Sequence, residues 1–268
     1  MPKIAIMSDI HGNAEAFQVV LDKCAELGIE LFASLGDIVG YNADPQPCLN
    51  AMQQLPLVGR VRGNHDVYAG NVEKAVVGFN ANARKAIEWT AEQLTEDEKK
   101  WLIEAPSRLN LTKYGMTLVH ATLDSPDNWG YIFDEHHAKD NFNYQYTQVC
   151  FCGHSHVPIA FERKQVVFSG KPIEELHEWR AMSIPEVNDF SLEDSVTVKL
   201  KADCKYLFNI GSIGQPRNGD PRASFVIFDT DISAVTRYVI PYDIAAVQEK
   251  ILAAGLPERL ALRLEKGC

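Results

Sequence analysis

The sequence predicts an α/β domain, and three observations predict it. In the first part of the chain, short apolar runs lead into polar loops and then into helical periodicity, and this order repeats. From residue 108 onward, β-like runs follow one another in quick succession up to residue 242. The chain then returns to helical patterning, with "IAAVQEKILAAG" and "PERLALRLEK" inside residues 243–266.

The elements can be justified in order. "KIAIMS" (3–8) is an apolar run that ends at Asp9. "AEAFQVVLDKCAEL" (14–27) has a helical period and is stopped by Gly28. "LFASL" (31–35) predicts a second buried strand, followed by the loop "GDIVGYNADP". "LVGRVRG" (57–63) predicts a third, after which Asn64, His65 and Asp66 crowd a tight turn. Residues 71–104 read as helical, and Thr95 with Glu98 three positions later makes a capping box. The strands expected next are "RLNLTK", "MTLVHA", "QVCFCG", "PIAFE", "QVVFS", "SVTVKL", "KYLFNIGS", "RASFVIFD" and "AVTRYVIPY". Between the fifth and sixth of these, residues 169–194 carry two prolines, many acids and no clean period, which predicts an irregular insertion. Neither a repeat nor a low-complexity linker interrupts the chain, so one domain is expected across residues 1–268.

Composition narrows the partners. The 268 residues are 46% hydrophobic and 23% charged, with a formal net charge of −10. An acidic chain with no basic run is a poor match for nucleic-acid polymers or anionic membranes. Small phosphate-bearing substrates stay compatible, because bound cations reverse the local field. No apolar run approaches the ~18 residues that span a bilayer. The opening run "MPKIAIMSDIHGN" reaches Asp9 too soon for a signal peptide. Six cysteines, at 24, 48, 150, 152, 204 and 268, lack the spacing of a disulfide framework. Cys150 and Cys152 should point the same way along a strand, and the expectation is buried, reduced thiols in a cytoplasmic protein.

Chemistry-bearing residues collect at the ends of the expected strands. Asp9 and His11 follow the first, Asp37 the second, Asn64 and His65 the third, His120 closes "MTLVHA", and His154 with His156 follows "QVCFCG". Taken singly, such a His is ordinarily a hydrogen-bonded surface residue, an Asp a helix cap and an Asn a turn residue. Those readings leave the recurrence at strand ends unexplained, and clustered His and Asp are metal-site chemistry. Asp9 and His11 are two apart, so an extended segment would aim both to one face, and His154 with His156 repeats the device. Asp37, with two carboxylate oxygens, can bridge two cations, and Asn64 adds a neutral amide oxygen. Mixed imidazole and carboxylate donors suit Mn, Fe, Ni, Co or Zn better than Ca or Mg. "GHSHV" lacks the final glycine of a nucleophile elbow, and no P-loop or dinucleotide fingerprint occurs. Arg217, in a glycine-flanked loop, is a candidate phosphate clamp. Asn13 borders the same mouth as a candidate substrate contact, or caps the helix at 14–27.

"SDIHGN" (8–13), "GDIVGY" (36–41), "GNHD" (63–66), "VHA" (119–121) and "GHSH" (153–156) occur in that order. The set resembles the calcineurin-like metallophosphoesterases, over roughly residues 3 to 240. The resemblance implies a two-layered β-sandwich flanked by helices, with two divalent transition-metal ions, manganese first and iron, zinc, nickel or cobalt as alternatives. Carried over by motif, one ion takes Asp9, His11, Asp37 and His156, and the other takes Asp37, Asn64, His120 and His154. His65, protonated, would be the acid beside the leaving group, with Asp66 orienting its ring. "GDIVGY" and "NIGSIGQPRNGDPRASF" (209–225) are similar to small bacterial phosphoesterases, some of which cleave dinucleoside polyphosphates. Ile210 stands where that branch usually has proline, and Ala121 and Thr122 replace a more usual Gly-Ser.

The implied activity is hydrolysis of small phosphodiesters, phosphomonoesters or phosphoanhydrides, with a water activated between the two cations. A protein-binding scaffold of the same fold is the rival, and its usual mark is loss of the acid histidine, which stands here as His65. A serine/threonine protein phosphatase is disfavoured by "SDIHGN" and "GNHD", which lack the Gln and Glu of that branch.

Overall fold

Two six-stranded sheets face each other, and helices cover their outer surfaces. The computed structural model describes residues 2–71, 79–168, 171–179 and 190–268. The first sheet begins with β1 (Lys3–Met7), β2 (Leu31–Ser34) and β3 (Leu57–Arg60), which are mutually parallel. The second contains β4 (Arg108–Leu111), β5 (Met116–Val119), β6 (Val149–Cys152), β7 (Ile159–Phe168) and β8 (Lys171–Trp179). Then β9 (Asp194–Lys199), β11 (Ala223–Asp229) and β12 (Ala234–Ile240) return to the first sheet, while β10 (Cys204–Asn209) enters the second. The orders are β3-β2-β1-β11-β12-β9 and β4-β5-β6-β10-β7-β8. This is the two-layered, helix-flanked architecture that the resemblance implies.

Strand periodicity sorts the core. Ile4 and Ile6 of β1 point between the sheets, where they meet Leu118, Phe151, Phe208 and Phe228. Ala5 and Met7 point outward to α1 (Ala14–Glu26) and α2 (Pro45–Gln54) through Phe17, Val20, Leu49 and Met52. On the far side, α6 (Glu135–Asn143) lays Ala138 and Phe142 over Val119, Cys150, Cys152 and Leu207. Cys150 and Cys152 thus share a face, as their spacing predicts. All six cysteines are free; Cys268 is exposed and the rest are buried. No helix among the described residues is long and apolar enough to cross a membrane.

Three local expectations need correction. The turn at Asn64–Asp66 is the opening of a helix, α3 (Asn64–Gly70). The helical stretch expected at 71–104 resolves into α4 (Ala81–Gln93) and α5 (Glu96–Glu104), the latter opened by the Thr95–Glu98 capping box, while 72–78 lie outside the described residues. Within the insertion expected at 169–194, residues 171–179 form β8, paired antiparallel with β7 from Ala160↔Trp179 to Phe168↔Lys171. Ile173, Leu176 and Trp179 are spaced by three, so no period of two marked the strand; pairing to a neighbour forms it regardless of pattern. Residues 169–170 and 180–189 of that insertion lie outside the described residues. At the C-terminus, α7 (Ile244–Ala253), α8 (Glu258–Leu262) and the turn after it pack Val247, Ile251, Leu260 and Leu264 against Ala83 and Ala86 of α4 and against Tyr41. That docking carries the end of α8 to the mouth of the site.

Candidate active site

The carboxyl ends of β1, β2 and β3 in one sheet, and of β5, β6 and β10 in the other, converge on one place. Loops at the carboxyl ends of parallel strands are where ligands bind in α/β sheets. Asp9 and His11 arrive from β1, Asp37 from β2, Asn64 and His65 from β3, His120 from β5, and His154 and His156 from β6. All are at least nine-tenths buried.

The backbone reaches this arrangement by an unexpected route. Asp9, His11, Asp37, His154 and His156 all have φ between +52° and +65°. The spacing of two does bring Asp9 to His11 and His154 to His156, but through left-handed residues rather than an extended segment. Asp and His tolerate that conformation better than most non-glycine residues. Two glycines make the approach possible. A Cβ on Gly63 would lie 2.0 Å from Asp37 Oδ1, and one on Gly36 would lie 2.3 Å from the Gly63 nitrogen.

Hydrogen bonds fix the tautomers. His11 Nδ1 donates to the Val39 carbonyl (3.0 Å), His120 Nδ1 to Leu35 (2.8 Å) and His156 Nδ1 to Gln215 (2.6 Å). A carbonyl only accepts, so each Nδ1 carries a proton and, in the neutral ring, each Nε2 is a bare lone pair. His11 Nε2 and His156 Nε2 then face each other at 3.1 Å. Asp9 Oδ1, buried and without a hydrogen-bond partner, lies 3.2 Å from the second and 3.6 Å from the first. Two lone pairs and a carboxylate oxygen aimed at one point repel one another unless a cation sits among them. Backbone carbonyls behind metal-binding imidazoles are the usual orienting partners.

A second group shares Asp37. Its Oδ1 accepts the His65 N–H at 2.8 Å, which leaves Oδ2 facing both His120 Nε2 (3.3 Å) and His11 Nε2 (3.7 Å). Oδ2 is thus the Asp37 oxygen that faces both groups. Asn64 Oδ1 lies 3.2 Å from His120 Nε2. His154 is turned the other way: Nε2 donates to the Trp129 carbonyl at 2.9 Å, and Nδ1 is buried without a partner. Among the described residues, Asp9–His11–His156, His11–Asp37–His65 and Asp37–His120–His154 are each close enough to hold a metal ion. The buried His and Asp donors fit a metal centre.

The electrostatics agree with that fit. Despite burial, His156, His11 and His120 hold the Asp9 carboxyl well below its ordinary range. Asp37 is likewise depressed, because His120, His65 and His11 outweigh burial. Burial and neighbouring cations push His154 down to about 4 and His156 to about 3. His120 moves the other way, to about 9, because Asp37 overcomes the desolvation.

Sequence and structure comparisons place this geometry among known proteins. The model of the calcineurin-like phosphoesterase superfamily domain matches residues 2–174. An uncharacterized protein of Methanocaldococcus jannaschii is 34% identical, with 98% of each chain aligned. The chain belongs to the calcineurin-like phosphoesterases. A crystallised metallophosphoesterase from Sphaerobacter thermophilus is 33% identical, superposes with a TM-score of 0.79, and is covered to 99% by 100% of this chain. A hypothetical protein from Pyrococcus horikoshii OT3, 18% identical, shares the fold at a TM-score of 0.75, with 100% and 99% coverage.

Within this calcineurin-like phosphoesterase, three sequence-based roles change. Asp66 does not orient His65. Its Oδ2 accepts from the Asp37 and Gly63 backbone N–H groups (2.8 and 3.0 Å) and its Oδ1 from Ile38 (2.9 Å), so it ties the β2 loop to the β3 loop. Burial beside Asp37 pushes Asp66 up to about 7, while the Gly63 and Ile38 donors pull it back. His65 instead rests against Gly40, where a Cβ would meet its Nδ1 at 2.3 Å, between the rings of Tyr41, His11 and Phe79. Burial, with Arg217 nearby, outweighs the pull of Asp37 and holds His65 well below its ordinary value, which favours the neutral ring over the protonated one expected. Asn13 is no substrate contact. Its Oδ1 caps α1 through Ala16 N–H and its Nδ2 donates to the Gly214 carbonyl, which uses both ends of a fully buried amide.

Arg217 does line the cleft, a cavity of about 840 Å³ bounded also by Tyr41, Asn64, His65, His154 and His156. The loop after β10 that carries it straps the site together. Ser212 Oγ donates to the Asp9 carbonyl, and Asn209 Nδ2 donates to the Gly153 carbonyl. Ile210 donates its N–H to Cys152, a bond that proline in that position would forgo. Sequence reading missed the aromatic wall of Trp129 and Tyr131, the latter stacked on His154 at 4.4 Å, and it missed Arg259 and Arg263. The two arginines stand four apart at the C-terminal end, a spacing that places them on one helical face and was legible.

Proposed function

We propose that this protein is a metal-dependent phosphoesterase that hydrolyses small phosphate-bearing substrates. The observation that carries the reading is the pair of imidazole Nε2 lone pairs, His11 and His156, facing each other at 3.1 Å beside the unpartnered Asp9 Oδ1. Asp9, His11, Asp37 and His156 would hold one ion, and Asp37, Asn64, His120 and His154 the other, with manganese as the leading candidate. Bound ions would supply charge neutralisation and Lewis acidity toward an anionic phosphoryl group.

The remaining residues handle position and protons. His65 offers an imidazole N–H as a hydrogen bond to the departing oxygen. Tyr41, Phe79 and Tyr68 wall that side, and Trp129 with Tyr131 walls the other. A concave cavity of this size suits a nucleotide-sized ligand rather than a protein surface.

Hydrolysis of bis-p-nitrophenyl phosphate, p-nitrophenyl phosphate, nucleoside polyphosphates and a phosphopeptide should be compared with and without added Mn²⁺. Small substrates are expected to turn over only with metal, and the phosphopeptide slowly. His65→Ala should keep its metal while kcat drops roughly 10²–10⁴-fold, the range of a general acid-base contribution. Metal-independent turnover, or none on any phosphate ester, refutes the reading.

A further inference from the structure

We propose that Arg217 and Arg263, joined through Gln215, form a second anion subsite on the His65 side of the cleft, making the substrate a phosphoanhydride whose leaving group is itself a phosphate. The proposal rests on the phosphoesterase reading above and names the substrate class for that site.

Both guanidinium groups converge on one neutral acceptor. Arg217 Nη2 and Arg263 Nη1 each donate to Gln215 Oε1 at 3.0 Å. Arg217 Nε is buried without a hydrogen-bond partner. No Asp or Glu side chain among the described residues pairs with either arginine; Arg263 Nε donates to the Cys268 main-chain oxygen. Two cations held around a single amide oxygen repel each other, and a multivalent anion resolves that repulsion. Guanidinium forks match phosphate oxygens in geometry as well as charge. The chain as a whole carries a net charge of −10, so this pair, with Arg259 in the same lining, is a local exception to an acidic molecule.

The position fixes which part of the substrate the pair meets. Arg217 Nη2 donates to the Tyr41 hydroxyl at 3.3 Å, and the Tyr41 ring lies 4.3 Å from that of His65. The arginines are therefore one aromatic ring beyond His65, and both line the same cavity as Asp37, Asn64 and His156. The segment is anchored to the centre, because Arg217 N–H donates to the His156 carbonyl at 3.2 Å. In hydrolysis, a water oxygen forms the new P–O bond and the bridging P–O bond breaks. The electron pair of that bond stays on the departing phosphate, and the two water protons pass to the products or solvent. The charge that develops on the departing group then lies toward Arg217 and Arg263.

The test compares kcat/KM on a nucleoside triphosphate and on p-nitrophenyl phosphate, whose leaving group carries no second anion. Arg263→Gln should lower the ratio of the two at least tenfold, about 1.4 kcal/mol. Arg263→Lys, which keeps charge without the fork, should recover part of it. Because Arg263 is half buried and its loss could disturb folding, Gln215→Glu serves as the second variant. It places a carboxylate between the two guanidiniums, so the melting temperature should rise while the same ratio falls. A parallel arm measures binding of methylenediphosphonate to chelator-stripped protein, which does not depend on turnover. Tenfold weaker binding in Arg263→Gln supports the subsite. A ratio that stays within twofold in folded, metal-loaded Gln215→Glu overturns it. If the unmutated protein cleaves no phosphate ester, the phosphoesterase reading fails; equal diphosphonate binding in all variants then overturns the subsite as well.

Discussion

Gly40→Ala adds one methyl group, and the structure says where it goes. The three atoms nearest to it are all in His65: Nδ1 at 2.3 Å, Cγ at 3.1 Å and Cβ at 3.3 Å. Gly40 also has φ +92°, so an L side chain there costs roughly 1–2 kcal/mol before any clash. Overpacking adds about 1–3 kcal/mol, because His65 is held by the rings of Tyr41, His11 and Phe79. At roughly 2–4 °C per kcal/mol for a protein of this size, the melting temperature should fall by about 4–20 °C. The imidazole must move by about 1 Å to relieve the contact, and a displacement of that size costs on the order of 10² in kcat. Metal content, measured by elemental analysis, should stay near that of the unmutated protein, because the three atoms nearest the new methyl all belong to His65, which is not among the expected ligands. The double variant isolates the cause. Once His65 is alanine the methyl has room, so Gly40→Ala should then cost no further kcat and only the backbone part of the thermal shift. An equal loss of kcat in the His65→Ala background would show that Gly40 acts elsewhere, and the assignment of His65 to the leaving-group side would lose its support.

Asp37→Asn should lose more metal than any other single ligand substitution, since one oxygen of Asp37 faces both groups; full occupancy by elemental analysis would overturn that. Asp66→Asn should reduce metal occupancy, because the carboxylate holds the backbone of Asp37, Ile38 and Gly63; a change in kcat alone, with metal intact, would return Asp66 to a partnership with His65. In chelator-stripped protein His120 is raised to about 9 from an ordinary 6.5. Its contribution, on the order of 3 kcal/mol, is fully present below pH 6.5 and lost as pH rises through 9. The melting temperature of stripped protein should therefore fall across that window, and His120→Asn should remove the slope.

The expected metal donors were legible because their chemistry recurs at strand ends, and a fold delivers such ends to one edge. Other features depended on contacts that adjacency in sequence conceals. Asp66 follows His65 directly, which suggests a pair, yet the helix that begins at Asn64 turns the carboxylate toward Gly63 and the β2 loop. Asn13 has the polarity of a substrate contact and the position of a cap; hydrogen bonding to Ala16 and Gly214 settles it as a cap. Pro45 and Pro47 obscured α2, although proline is well tolerated in the first turn of a helix. Strand order was not readable at all, since β10 enters between β6 and β7, and β11 joins β1 antiparallel across more than two hundred residues.

The left-handed backbone at Asp9, His11, Asp37, His154 and His156 has a consequence for how this sequence can drift. Each position would relax by roughly 1 kcal/mol if it were glycine, and nearly as readily if it were asparagine. Selection for thermal stability alone would thus erode these residues, and a metal-binding role would oppose it. A descendant released from that role has a downhill path, in which glycines and asparagines replace the five residues while both sheets persist. Bulky or β-branched replacements are blocked along the same path, since they lose the donor and add strain. The vocabulary open to these five positions is therefore narrower than their burial alone would suggest.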